Sequence, residues 1–211
     1  MGLTRTQTIM VAVFLAGTVL AVLNQTLLSP ALPAIMADLG VDATTVQWLT
    51  SGYSLTEAVI IPFAAYFIGR FSTRQLFLGG MTLFTLGSLC AAVAPSFPFL
   101  LLGRVLQAAG TGAVMPMVFT VILLIFPREK RGSAMGIISL VIGFAPAVGP
   151  SLAGLLIDSV GWRALFVIVT VLSALIVVVG FAALKNYGML NDRSYHNPNA
   201  APGKYYNDTS V

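Results

Sequence analysis

Cysteine, histidine and charge are what this sequence has least of. A single cysteine among 211 residues, Cys90, has no second thiol to pair with, so no internal disulfide framework holds the chain. One histidine, His196, excludes a clustered Cys/His metal site, and no metal or other cofactor is expected. Charged residues make up 9% of the chain and hydrophobic residues 57%, with a mean hydropathy of +0.92. A soluble domain would carry roughly 25% charged residues, so this composition excludes one and places the chain in a bilayer. Also missing are a nucleophile–base–orienter set and a phosphate-cradling glycine loop, which argues against an enzyme. The net charge of +4 comes without a basic patch interleaved with aromatics. Nucleic acid is therefore not an expected partner, and the excess suits anchoring against anionic lipid.

What fills the chain is a series of apolar runs of about 20 residues, the length that crosses a hydrocarbon core. They read as six spans, at 9–29, 46–68, 76–94, 97–126, 133–157 and 163–184. With the N-terminus in the cytoplasm, Arg5, Arg70, Arg74, Arg128, Lys130, Arg131 and Lys185 all fall on the inner side, whereas the outer loops offer only Arg163. The first apolar stretch runs on through Asn24 to Pro33 without an Ala-x-Ala cleavage pattern, so it reads as a retained span rather than a signal peptide. Residues 1–184 are thus expected to form a six-helix bundle in the cell membrane. Residues 185–211, rich in Asn, Asp, Tyr, Pro and Gly, are expected to form a disordered cytoplasmic tail.

The prolines fall in a pattern. Pro30 and Pro33 lie in the first span, Pro62 in the second, Pro116 in the fourth, and Pro146 and Pro150 in the fifth, with none inside the third or sixth. The two halves rhyme, as two three-helix repeats of opposite orientation would, with coincidence as the alternative. The fold class expected is an all-α membrane protein. Within the fifth span, GFAPAVGPSLAG at 143–154 combines small residues, which permit close helix approach, with two prolines, which remove backbone donors. That combination reads either as a hinge or as a static kinked helix.

Ionisable groups inside spans are costly, so a function is their default reading. Glu57 lies eleven residues into the second span, roughly halfway across at about 1.5 Å rise per residue, and is the one carboxylate at that depth. It is a candidate for carrying a proton, for touching substrate, or for a structural hydrogen bond. Arg104 and Gln107 share a face of the fourth span one turn apart, where a fixed cation beside an amide can act on a carboxylate across a cavity or hold two helices together. Asn24, Gln25 and Thr26 put uncharged polar groups deep in the first span. At the inner face, the connection carrying Arg70 and Arg74 can anchor the bundle or grip a helix C-terminus.

Together these residues resemble the N-terminal half of a major facilitator superfamily transporter, most closely the drug:proton antiporter branch with fourteen spans. The resemblance covers residues 20–184. Gly149, Pro150 and Gly154 match the fifth-helix antiporter motif, a stretch that also holds Pro146, with Ala145 and Ala153 where glycine is usual. Arg104 and Gln107 match the fourth-helix R-x-x-Q motif, with Ala108 where glycine usually follows. Asn24 stands where related exporters often have aspartate, and Gly69 stands where the inner-face motif of Arg70 and Arg74 usually has aspartate. The resemblance implies a membrane efflux transporter, exchanging amphipathic drugs or other small organic compounds for protons. On this reading Glu57 and Arg104 are the proton-coupling candidates and Asn24, Gln25 and Gln107 the cavity contacts. Family members continue through a second bundle, so the expected partners include that bundle or a second copy of the chain. The alternative is a non-transporting membrane protein that pairs with or regulates a full-length transporter.

Overall fold

The computed structural model describes residues 5–126 and 128–184; the tail expected at 185–211 lies outside the described residues. Seven helices account for nearly all of them: α1 (Arg5–Leu39), α2 (Ala43–Val46), α3 (Trp48–Arg70), α4 (Thr73–Ala92), α5 (Phe97–Ile125), α6 (Arg128–Val160) and α7 (Trp162–Ala183). The short α2 leads into α3 as one continuous span, so six helices are long and apolar enough to cross a membrane. Their peptide groups bond within each helix, the arrangement that hydrocarbon demands.

Local chemistry sets the breaks. Gly40 and Gly161 take positive φ values of 63° and 84°, which free the chain to turn after α1 and between α6 and α7. Asp42 caps α2 by accepting from the Thr45 amide at 2.6 Å, and Thr45 holds its carboxyl below the usual range. Ser72 and Gln75 form a reciprocal capping box at the start of α4. Two boundaries lie furthest from the sequence reading. The first span was expected to close at residue 29, but α1 continues through Pro30 and Pro33 to Leu39. The turns beyond the prolines carry Ala31 and Ile35, both fully buried, so packing offsets the lost backbone bonds. α6 likewise begins at Arg128 rather than 133.

α1 packs on α6 and α7, α5 packs on α3 and α4, α4 lies against α7, and α1 touches α5. Exchanging α1, α3 and α4 with α5, α6 and α7 returns the same set of neighbours, as two equivalent three-helix repeats would. The α4–α7 pair, which maps onto itself, is fastened at both ends by arginines in equivalent places. Arg74, second residue of α4, donates to the Phe181 carbonyl near the end of α7 at 2.9 Å. Arg163, second residue of α7, donates to the Ala94 carbonyl just past α4 at 3.1 Å. Arg163 also pairs with Asp38 at 2.5 Å, drawing in the end of α1.

The closest backbone approach lies between α4 and α5. A Cβ on Gly103 would stand 2.8 Å from the Gly87 carbonyl oxygen, one on Gly87 would stand 2.6 Å from the Gly103 carbonyl, and Gly80 meets Gly110 in the same antiparallel register. Only a residue without a side chain fits there. Gly103→Ala is therefore expected to destabilise the bundle by about 1–3 kcal/mol through overpacking. Gly69→Ala, at a helical site with no atom within 4 Å of the added carbon, should be neutral or stabilising by up to about 1 kcal/mol. Thermal unfolding in detergent compares the two, and equal effects would contradict the tight α4–α5 contact.

Candidate functional site

The glycine-mediated contact determines what else can sit between α4 and α5. Two apolar clusters fill the two ends of the bundle: one gathers Phe14, Phe77, Phe84 and Val118, the other Leu28, Ile35, Leu100 and Phe166. Between them lies a layer of buried polar groups. Arg104, 1% exposed, is the largest fully buried side chain of the described residues. Its Nη1 donates to Gln107 Oε1 at 2.8 Å and its Nε to the Leu49 carbonyl at 3.3 Å. The guanidinium carbon stands 4.2 Å from the centre of the Tyr53 ring. No carboxylate of the described residues comes within ion-pair distance of Arg104, since the ion pair they contain is Asp38–Arg163. A ring face and two oxygen dipoles stand in for a counter-ion, and a desolvated cation–π contact of this kind is worth about 2 kcal/mol.

Gln107 ties the layer together. Its Nε2 donates to Ser88 Oγ on α4 at 2.7 Å and, more weakly, to Asn24 Oδ1 on α1 at 3.4 Å. Thr111 donates to the Gln107 carbonyl at 2.9 Å, and its hydroxyl meets that of Tyr53 at 2.8 Å. At the more open edge, Gln25 Nε2 donates to Glu57 Oε2 at 2.9 Å, and Glu57 is half-buried. Asn24 Nδ2 and Thr18 Oγ1 are buried without a partner among the described residues.

Asn24, Gln25, Glu57, Arg104 and Gln107, singled out separately along the sequence, are thus brought into one layer from three helices. Tyr53, Ser88 and Thr111 belong to it as well and were missed. For Tyr53 and Thr111 a signal existed: they lie four residues from Glu57 and Gln107, on the same helix faces. Ser88 carries no such marker, because its role comes from the α4–α5 contact.

The residues of the fifth-span motif divide by face. Ala145 and Gly149 are buried, and a Cβ on Gly149 would collide with Thr26 Oγ1 on α1. Pro146 and Pro150 point outward, and Gly154 has no neighbour within 4 Å of an added carbon. Alongside runs an apolar groove of about 230 Å³ lined by Val19 and Leu23 of α1 and by Leu140, Phe144, Val148 and Leu152 of α6, with Ala145. Arg74 grips the end of α7, whereas Arg70 stacks on Tyr66, 5.1 Å from its ring centre. Neither belongs to the polar layer.

The sequence matches the Major Facilitator Superfamily over residues 14–203. It is 50% identical over 174 residues to the uncharacterised MFS-type transporter YhcA of Bacillus subtilis, covering 82% of this chain and 33% of that protein. It is 43% identical over 178 residues to the lincomycin resistance protein LmrB of the same organism, covering 84% of this chain and 37% of LmrB. The chain spans about a third of the length of these curated relatives. The crystal structure of a D-xylose–proton symporter superposes with a TM-score of 0.73 at 12% identity, covering 85% of this chain and 48% of that one. This likeness establishes the fold, and the six spans make the chain a multi-pass membrane protein.

Two substitutions at one residue separate the contributions to the layer. Tyr53→Phe keeps the ring under Arg104 but removes the hydroxyl that meets Thr111, and should cost about 1 kcal/mol. Tyr53→Leu leaves the buried cation without its ring face and should cost at least about 2 kcal/mol more than the phenylalanine variant. Unfolding midpoints in detergent measure the difference, and identical values for the two variants would refute the ring's role.

Proposed function

The chain belongs to the Major Facilitator Superfamily, and on that premise we propose that it forms the N-terminal bundle of a proton-coupled exporter of amphipathic small organic compounds. The observation that carries the proposal is Glu57, half-buried at mid-depth and hydrogen-bonded to Gln25 at 2.9 Å, on the helix whose Tyr53 ring lies against the fully buried Arg104. Glu57 takes up a proton from one side of the membrane and releases it to the other, while Arg104, which cannot deprotonate under ordinary conditions, supplies a fixed positive field. Asn24 and Gln107 offer polar contacts to substrate, and the neighbouring apolar groove supplies the contact area an amphipathic molecule needs.

Several features support this reading. LmrB, a relative at 43% identity, is named for lincomycin resistance. Gly149 seats against Thr26 while the adjoining face of α6, with Leu140 and Phe144 exposed, remains uncovered. In the proposed cycle that face meets a second bundle, supplied by the remainder of a longer protein or by another copy, and rocking of one bundle against the other alternates access. Both termini of the bundle lie in the cytoplasm, in keeping with the Lys/Arg bias of the loops.

Proteoliposomes carrying the protein and a fluorescent amphipathic cation test the proposal. An imposed proton gradient should drive accumulation of the probe, and Glu57→Gln should reduce that drive at least about tenfold, a loss of about 1.4 kcal/mol or more of coupling. Gradient-driven accumulation that survives unchanged in Glu57→Gln would remove this residue from the mechanism.

A further inference from the structure

α1 and α3 share little direct packing; each lies mainly against other helices, and both touch α5. Yet one side chain from each meets in a hydrogen bond, Gln25 Nε2 to Glu57 Oε2 at 2.9 Å. One turn before Glu57 on α3, the Tyr53 hydroxyl meets that of Thr111 on α5 at 2.8 Å. Gln25 thus bridges two helices that share little direct packing.

We propose that Gln25 is a positioning residue for Glu57: its amide, carried on α1, holds the ionised carboxylate across the space between α1 and α3, so that protonation of Glu57 and the separation of these helices form one linked equilibrium. This deepens the proton-carrier reading of Glu57 and rests on it. A hydrogen bond from an N–H to a carboxylate is charge-assisted and roughly twice as strong as a neutral one. Adding a proton removes the charge that strengthens this bond: on Oε1 it leaves Oε2 a weaker neutral acceptor, and on Oε2 it places an O–H against the N–H of Gln25. Linkage is reciprocal, so whatever draws α1 from α3 also changes the proton affinity of Glu57. The other titratable groups facing the carboxylate are Tyr53 on its own helix and Arg104 from α5. From α1 it is met by Gln25, which does not titrate. An arginine at position 25 would fix Glu57 in its ionised form and a leucine would leave it unpartnered, whereas a neutral amide permits both states.

The test uses the chain in lipid nanodiscs, with the protonated-carboxyl infrared band of Glu57 identified by its loss in Glu57→Gln and followed against pH. Gln25→Leu should displace the titration midpoint by about one pH unit or more, a tenfold change in proton affinity. Gln25→Glu, of equal length, should replace one titration step by two coupled ones, and it decides the matter should the leucine variant fail to fold. Spin labels at the exposed Ser29 and Ser54, on a Cys90→Ser background, should report a change in α1–α3 separation across the same midpoint that disappears in Gln25→Leu. A Glu57 band that titrates at the same pH in a single step in both Gln25 variants would overturn the positioning role and leave the proton-carrier reading standing. A Glu57 that does not titrate in the unaltered chain would overturn both.

Discussion

A guanidinium fully buried inside a membrane bundle imposes conditions on everything near it. Arg104 is 1% exposed and has no carboxylate of the described residues within ion-pair distance. An uncompensated buried cation costs several kcal/mol, so its donors have to be met by dipoles and its charge by a polarisable face. The Leu49 carbonyl and the Tyr53 ring come from α3, and the Gln107 amide comes from Arg104's own helix. Gln107 in turn requires Ser88 on α4 and reaches Asn24 on α1. One charge thus fixes the rotation of three helices about α5.

That arrangement is possible because α4 and α5 approach to backbone contact through two glycine pairs. With any larger residue at Gly87 or Gly103, Ser88 and Gln107 would stand too far apart to bond. The arginine clamps at the two ends of the α4–α7 pair extend the same logic to the bundle's surfaces, since each lends a cation to the carbonyl-rich end of the opposing helix. α1, α4, α5 and α7 form a braced frame. α3 and α6 carry much less buried surface and expose Leu55, Phe63, Leu140 and Phe144. In the proposed cycle the braced frame moves as a unit and the exposed faces meet what lies beyond it.

Within the polar layer, the buried cation and the carboxylate differ in burial. Arg104 is sealed, while Glu57 is half-buried at the edge, where the proposed cycle has it exchange a proton. Gln25 stands between Glu57 and the rest of α1. A neutral Asn24 rather than a second acid leaves Glu57 as the carboxylate of this layer, which concentrates any protonation chemistry on a single group.

The sequence by itself determined the membrane class, the six spans, the paired proline pattern and the identity of most polar-layer residues. Each of these follows from composition or local period: a run of about 20 apolar residues has one stable setting, and a charge within it stands out by cost alone. Helix ends were less legible, because the continuation of α1 past Pro30 and Pro33 depends on Ala31 and Ile35 being buried by other helices. The partners of Arg104 on other helices, the inclusion of Ser88 and the meeting of Gln25 with Glu57 were decided only by tertiary structure. These residues lie between 16 and 55 positions apart, counting Arg104 to Ser88 and to Leu49, and no periodic pattern in one helix encodes how a second is rotated against it. The glycines that set that rotation look the same in sequence whether they face a neighbouring backbone, as Gly103 does, or open space, as Gly69 does.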